Sequence, residues 1–245
     1  MAYVSRVPGI KLAYEFLPGD GPVIVFCPGY ASDMTGTKAL ALEAWCKTKN
    51  RSMLRFDYAG HGCSEGVFSE NGISDWAKDA AFLIEHVAAA KDIILVGSSM
   101  GGWISLLLGK QLKTRLKALV LIAPAPDFTK ALLEHGLTPE QRATLLQTGV
   151  VYQPSEYGAP LLFSKALIDR SADCLVMDDQ INITCPIRIL HGMKDASVPW
   201  ELSLKLVEKL ASTDIELIYV KNGDHRLSEP QDLALLERVV ASLLS

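Results

Sequence analysis

A serine hydroxyl is a poor nucleophile at neutral pH. It attacks a carbonyl when a base takes its proton and a carboxylate orients that base. One serine of this chain is set for such a role by its neighbours. Gly97-Ser98-Ser99-Met100-Gly101 follows the apolar run Ile93-Ile94-Leu95-Val96 and precedes Trp103-Ile104-Ser105-Leu106-Leu107-Leu108. Strand, sharp turn and helix form the context in which G-x-S-x-G makes a nucleophile elbow. The serine takes strained backbone angles that lift its hydroxyl clear of the sheet, and the glycines let strand and helix pass without Cβ clashes. At a helix N-terminus Ser99 also lies beside free N–H groups and the positive end of the helix dipole.

The base and the acid must come from loops beyond the C-terminal ends of strands if the sheet is parallel. The chain has five histidines. His86 falls inside a helical pattern, His135 at a helix end, and His61 in the glycine-rich loop Tyr58-Ala59-Gly60-His61-Gly62-Cys63-Ser64. His191 ends a strand but directly precedes Gly192, where it would brace the loop from the side. His225, in Asn222-Gly223-Asp224-His225-Arg226, stands between the last strand and the last helix and is the expected base. The expected acid is Asp195, in the short turn-rich loop after Ile187-Arg188-Ile189-Leu190, with one helix and one strand separating it from His225. Asp127, after the Leu121 strand, is its rival; Asp224 would point away from the base and structure its loop. The order Ser99, Asp195, His225 is the one this architecture uses. An oxyanion hole needs backbone donors. The expected pair is the N–H of Met100, next to the nucleophile, and that of Tyr30, after Pro28-Gly29.

The elements that must position these residues are legible as hydrophobic patterns. Tyr3 to Val7 and Lys11 to Leu17 alternate around Pro8-Gly9, a hairpin signal. Continuous apolar strands follow at Val23–Cys27, Met53–Asp57, Ile93–Val96, Ala118–Ala123, Ile187–Leu190 and Ile215–Val220. Helical patterns fill the intervals at Thr37–Lys47, Ile73–Ala90, Leu202–Leu210 and Asp232–Leu244. This alternation predicts a mostly parallel, doubly wound α/β sheet. From Pro124 to Thr184 the rhythm breaks. Two short helical patterns (Asp127–Glu134, Pro139–Gln147), the stretch Tyr152–Pro160 and the apolar segment Leu161–Ile168 read as a small helical cap inserted after the sixth strand. The core would then be residues 1–123 and 185–245, and the cap 124–184.

With 245 residues, 49% of them apolar and 21% charged, the chain fits one globular α/β domain with a large core. A net charge of −4 suggests no nucleic-acid or anionic-membrane partner. No apolar run approaches the ~20 residues of a membrane span, and the start, Met1-Ala2-Tyr3-Val4-Ser5-Arg6, lacks the pattern of a signal or transit peptide. The five cysteines are scattered with no C-x-x-C pair, so they read as structural and reduced. A cytoplasmic protein needing neither metal nor cofactor is the expectation.

Taken together, these residues resemble the α/β-hydrolase superfamily over the whole chain. The stretches Pro28–Met34, Gly36–Leu40, Gly97–Trp103, Cys185–Asp195 and Asp224–Arg226 are more specifically similar to the family of mitochondrial palmitoyl-protein thioesterases and acyl-glucuronide esterases. The missing transit peptide then implies a bacterial relative. The superfamily often writes His-Gly where this chain has Pro28-Gly29; the oxyanion donor, being a backbone group, survives that change. The resemblance implies a serine hydrolase that cleaves acyl thioesters or esters, with its triad on Ser99, Asp195 and His225 and its substrate small or protein-bound. A small-ester carboxylesterase and a non-hydrolytic ligand receptor on the same fold are the alternatives, and a peptidase a weaker one.

Overall fold

Strand alternation organises the molecule. In the computed structural model, which describes every residue except Pro8, Glu156, Tyr157 and Ser245, a sheet of eight strands runs in the order β1-β2-β4-β3-β5-β6-β9-β10. These strands are β1 (Ala2–Val7), β2 (Ile10–Leu17), β3 (Asp20–Cys27), β4 (Arg51–Phe56), β5 (Ile93–Ser98), β6 (Leu116–Ile122), β9 (Ile187–Gly192) and β10 (Ile215–Val220). β1 and β2 are antiparallel, as are β2 and β4; every other neighbouring pair is parallel. The expected N-terminal hairpin forms, with Pro8 of its turn lying outside the described residues.

Parallel strands are buried on both faces, and successive side chains point to opposite sides. Val23, Val25 and Cys27 therefore join one core with Leu95, Leu119, Leu121 and Ile189, under the helices α2 (Ile73–Ala88) and α3 (Met100–Leu112). Ile24 and Phe26 join the other with Ile94, Val96, Val120 and Leu190, under α1 (Thr37–Thr48) and the closing helix, Pro230–Ser242. The strands and helices of this frame lie where the patterns predict them, within a few residues.

Between β6 and β9 the inserted segment carries α4 (Phe128–Ala131), continued by a π-helical turn at Leu132–Gly136, then α5 (Pro139–Thr148) and α6 (Lys165–Asp169). α5 starts as its sequence dictates, with Pro139 in the first turn and a reciprocal capping box between Thr138 and Gln141. The segment is not wholly helical. β7 (Val150–Ser155) and β8 (Gly158–Ser164) pair as an antiparallel hairpin, a second sheet of two strands. The Pro and Gly residues there obscured the strand signal, and Glu156 and Tyr157 at its tip lie outside the described residues. After β9 come α7 (Glu201–Lys209), β10 and α8 (Pro230–Ser242).

Candidate active site

The elbow is a joint between β5 and α3. Ser99 sits between them at φ +54° and ψ −119°, a strained conformation for a residue with a side chain. The strain is held from several sides. Ser99 N–H donates to Ile122 O (2.9 Å), and Ser99 O accepts from Gly102 and Ala125 (2.9 and 3.1 Å). A Cβ on Gly97 would stand 2.4 Å from Gly101 O, and one on Gly101 would stand 2.0 Å from Cys27 O. Only glycine lets the strand, the helix and the β3 turn come this close.

β9 and β10 are adjacent and parallel, so the loops that follow them emerge at the same sheet edge as the elbow. There His225 Nε2 lies 3.0 Å from Ser99 Oγ, and His225 Nδ1 lies 2.7 Å from Asp195 Oδ2. A carboxylate cannot donate, so Nδ1 carries the proton and Nε2 is left to accept from the serine hydroxyl. Asp195 Oδ1 accepts the N–H groups of Ser197 and Val198, both at 2.8 Å. Burial pushes the Asp195 carboxyl up, but the hydrogen bonds from His191 and His225 and the His225 charge outweigh it and hold the group well below the usual carboxylate range. The His225 loop is fixed by Asp224, whose Oδ1 accepts from Arg226 and Leu227 N–H (3.0 and 2.9 Å), the structuring role expected of it. Lys38 ties the same loop to α1 by donating to Arg226 O; burial pulls its ammonium down to about 8.

The structure thus brings Ser99, Asp195 and His225 into one hydrogen-bonded line. Asp127 is elsewhere engaged: its carboxylate accepts from Val176 (2.9 and 3.1 Å) and Met177 (2.9 Å) and pins the end of the inserted segment. Beside Ser99, the turn after β3 packs so closely that a Cβ on Gly29 would lie 3.4 Å from both Ser98 O and Ser99 Cβ. Tyr30 follows Gly29 directly in this turn, and Met100 follows Ser99 at the start of α3. Among the described residues neither of their N–H groups has an acceptor.

The serine opens into a cavity of about 1050 Å³. Its wall carries polar residues, with Lys38, Ser197 and Ser228 beside the His225 loop, and an apolar part, with Phe68, Phe128 and Leu161 to Phe163, where the β7–β8 hairpin also adds Gln153 and Ser155. Tyr30 is the hub of the apolar part. Its ring stacks on Phe163 (5.3 Å between centroids, 3° between planes) and meets Phe68, Phe128 and Trp76 at 5.0, 5.7 and 5.9 Å, while its hydroxyl donates to Leu162 O (2.5 Å). His61 lies behind this cluster, edge-on to Phe68 and Trp76 at 4.9 Å. Its Nδ1 faces Ala59 O (3.4 Å), Nε2 has no partner among the described residues, and burial pulls its pKa down to about 4.

Two features escape sequence reasoning. The aromatic clasp of Tyr30 joins residues more than a hundred positions apart, which no local pattern reveals. His191 braces the loop through Val198 O (3.2 Å) as expected, but its Nε2 also reaches Asp195 Oδ2 at 3.1 Å. The signal for that contact was the i to i+4 spacing of His191 and Asp195 across Gly192.

Comparison with known proteins identifies the family. The family model described as serine aminopeptidase, S33 matches residues 21–155. The chain is similar, at 36% identity over its full length and 82% of the relative's, to palmitoyl-protein thioesterase ABHD10, mitochondrial, of Rattus norvegicus. Among solved structures, one from Agrobacterium vitis S4 superposes with a TM-score of 0.94 at 39% identity, covering 100% of this chain and 97% of that one. The mouse α/β-hydrolase domain-containing protein 10 superposes with a TM-score of 0.89 at 36% identity, covering 99% and 97%. The chain belongs to the serine aminopeptidase S33 family of α/β-hydrolase-fold serine hydrolases.

Proposed function

We propose that this serine hydrolase cleaves acyl thioesters or esters through an acyl-enzyme, with Ser99 as nucleophile, His225 as general base and Asp195 as its orienting acid. The observation that carries the reading is the line Asp195–His225–Ser99, at 2.7 and 3.0 Å, opening onto a cavity with an apolar part. As Ser99 Oγ attacks the acyl carbon, its proton passes to His225 Nε2, and Asp195 stabilises the imidazolium that forms. The carbonyl oxygen takes up the electron pair and is held by the N–H groups of Tyr30 and Met100. When the intermediate collapses, the C–S or C–O bond breaks and His225 returns the proton to the leaving group. Water, deprotonated by the same imidazole, then releases the acid.

The cavity is at the upper end of the roughly 300–1,000 Å³ common for small-molecule sites. Its apolar part, under the inserted segment, suits the acyl chain, so residues 124–184 act as a cap; its polar part suits the leaving group. The preference for thioesters on S-acylated proteins rests on similarity to the palmitoyl-protein thioesterase. The test is kcat/KM over a chain-length series of acyl thioesters and matched oxygen esters, with Ser99→Ala as blank. Ser99→Ala should lower turnover by ~10⁴-fold or more. Rates rising towards long-chain thioesters support the substrate class, whereas a preference for short oxygen esters leaves a general carboxylesterase. An active Ser99→Ala variant removes the mechanism itself.

A further inference from the structure

The acid of the line, Asp195, has two imidazoles on one oxygen. His225 Nδ1 and His191 Nε2 reach the same Oδ2, at 2.7 and 3.1 Å. His191 is fully buried, and so is Ser203 on α7, whose Oγ lies 2.7 Å from His191 Nδ1. The proton positions follow from the partners. His191 Nε2 faces a carboxylate oxygen and a peptide carbonyl, Val198 O, and neither can donate; Nε2 must carry the hydrogen. In the neutral ring Nδ1 is then an acceptor, and the Ser203 hydroxyl is its donor. The other tautomer would set the Nε2 lone pair against both oxygens and leave the ring without a favourable contact on that side.

We propose that His191 and Ser203 are positioning residues of the acid: Ser203 fixes the tautomer of His191, and His191 Nε2–H holds Asp195 Oδ2 in line with His225. This rests on the reading of Asp195 and His225 given above and extends it by one further layer. With its Oδ1 taken by two backbone N–H groups, the carboxylate has all its principal lone pairs occupied and no freedom to rotate. The second imidazole also shares the negative charge of Oδ2, which limits how strongly Asp195 stabilises the His225 imidazolium. Asp195 is the only ionised group in contact with both rings among the described residues. Without the second donor, the carboxylate would swing and its charge would act on His225 alone.

The experiment is the pH profile of kcat/KM on p-nitrophenyl octanoate for the wild type, His191→Phe and His191→Gln. Phenylalanine keeps the ring volume and removes both nitrogens; the amide nitrogen of glutamine can replace Nε2–H. For His191→Phe, kcat should fall about 10- to 100-fold, the range a small misplacement near the reacting atoms costs, with KM nearly unchanged. Its acidic limb should also move, because the Asp195 charge is no longer shared between two rings. His191→Gln should recover most of both. Unchanged kinetics in His191→Phe, or a loss without movement of the limb and without recovery by glutamine, would reduce His191 to packing and overturn the proposal. Should His191→Phe fail to fold, long-range ¹H–¹⁵N spectra of the wild-type histidines decide, the His191 signals being those missing from His191→Gln. An Nε2–H tautomer supports the assignment and an Nδ1–H tautomer overturns it. That spectrum does not depend on turnover, so it still reads this contact if Ser99→Ala proves active and the hydrolytic assignment fails.

Discussion

The two walls of the cavity are held by different forces. Around Ser99, Asp195 and His225, position is set by hydrogen bonds of 2.7 to 3.1 Å on loops that leave parallel strands of one sheet, and Asp195 alone has four donors. Across the cavity, the hairpin wall is held by ring contacts around Tyr30, by the Tyr30 hydroxyl on Leu162 O, and by Gln153 Nε2 donating to Gly136 O. Directional bonds to a rigid frame fix atoms to fractions of an ångström, as proton transfer requires. Apolar contact tolerates substitution as long as volume is kept. One wall is therefore suited to invariant chemistry and the other to changes of substrate.

The largest expected effect breaks the polar wall. Asp195→Asn replaces an acceptor by an amide that can donate to His225 Nδ1, turning the ring so that Nε2 carries the proton and cannot accept from Ser99. Turnover should fall by ~10³- to 10⁴-fold with little change in KM or melting temperature, read by steady-state kinetics beside thermal unfolding. A fall confined to KM would contradict the orienting role.

The next effect separates the walls by pH. His61, 3% exposed, has its pKa pulled down to about 4 by burial against an ordinary 6.5, so in the folded chain it stays neutral. Below pH 6.5 the unfolded chain takes up a proton that the folded chain refuses. Stability is therefore unaffected above that pH and declines as pH falls from 6.5 towards 4, by up to about 3 kcal/mol. The Asp195 shift is also downward, so it too costs stability on acidification, but over a lower range: its contribution persists until the pH falls through the carboxylate range and the group is protonated. Denaturant unfolding of the wild type and His61→Phe at pH 7 and pH 4.5 checks this. The mutant should lose less stability over that interval; an equal loss would place the acid sensitivity elsewhere.

Substitution in the apolar wall should change selection and leave chemistry alone. Leu161→Trp adds bulk where the hairpin lines the cavity. The kcat/KM for long acyl chains should drop by about 10-fold or more, the cost of a few misplaced methylenes, while acetyl esters are hydrolysed as before. Equal losses for all chain lengths would mean that this wall also positions the reacting groups.

The same division explains what could be read from the sequence. The polar wall was legible because its geometry is local. A strand end, a glycine pair and a loop of a few residues fix where Ser99, Asp195 and His225 emerge, and parallel topology brings those loops to one edge. Asp224 was likewise legible from its place beside His225. The apolar wall was opaque for a physical reason: Pro154, Gly158 and Pro160 mask the alternation of β7 and β8, whose pairing is set by packing on Tyr30. The tie of Asp127 to Val176 and Met177, about fifty residues away, also arises only once the chain has folded. His191 fell between these cases: its spacing to Asp195 was visible, but the direction of its ring depends on Ser203 from the following helix.

Tyr30 belongs to both walls, which makes it the sharpest test of whether they act separately. Its N–H is a proposed oxyanion donor, while its hydroxyl clasps Leu162 O on the hairpin. Tyr30→Phe keeps the backbone donor and the ring stacking and removes only that hydrogen bond. A buried hydrogen bond contributes about 1 kcal/mol, so the melting temperature should fall by roughly 2–4 °C for a chain of this size. If the walls are independent, kcat on an acetyl ester is unchanged and only long-chain substrates lose a few-fold in kcat/KM, through a looser hairpin. If kcat on the acetyl ester falls by a similar factor, the clasp reaches back along the Tyr30 backbone to the oxyanion donor. Closure of the hairpin over an acyl chain would then tighten the polar wall, and substrate selection and rate would share one residue.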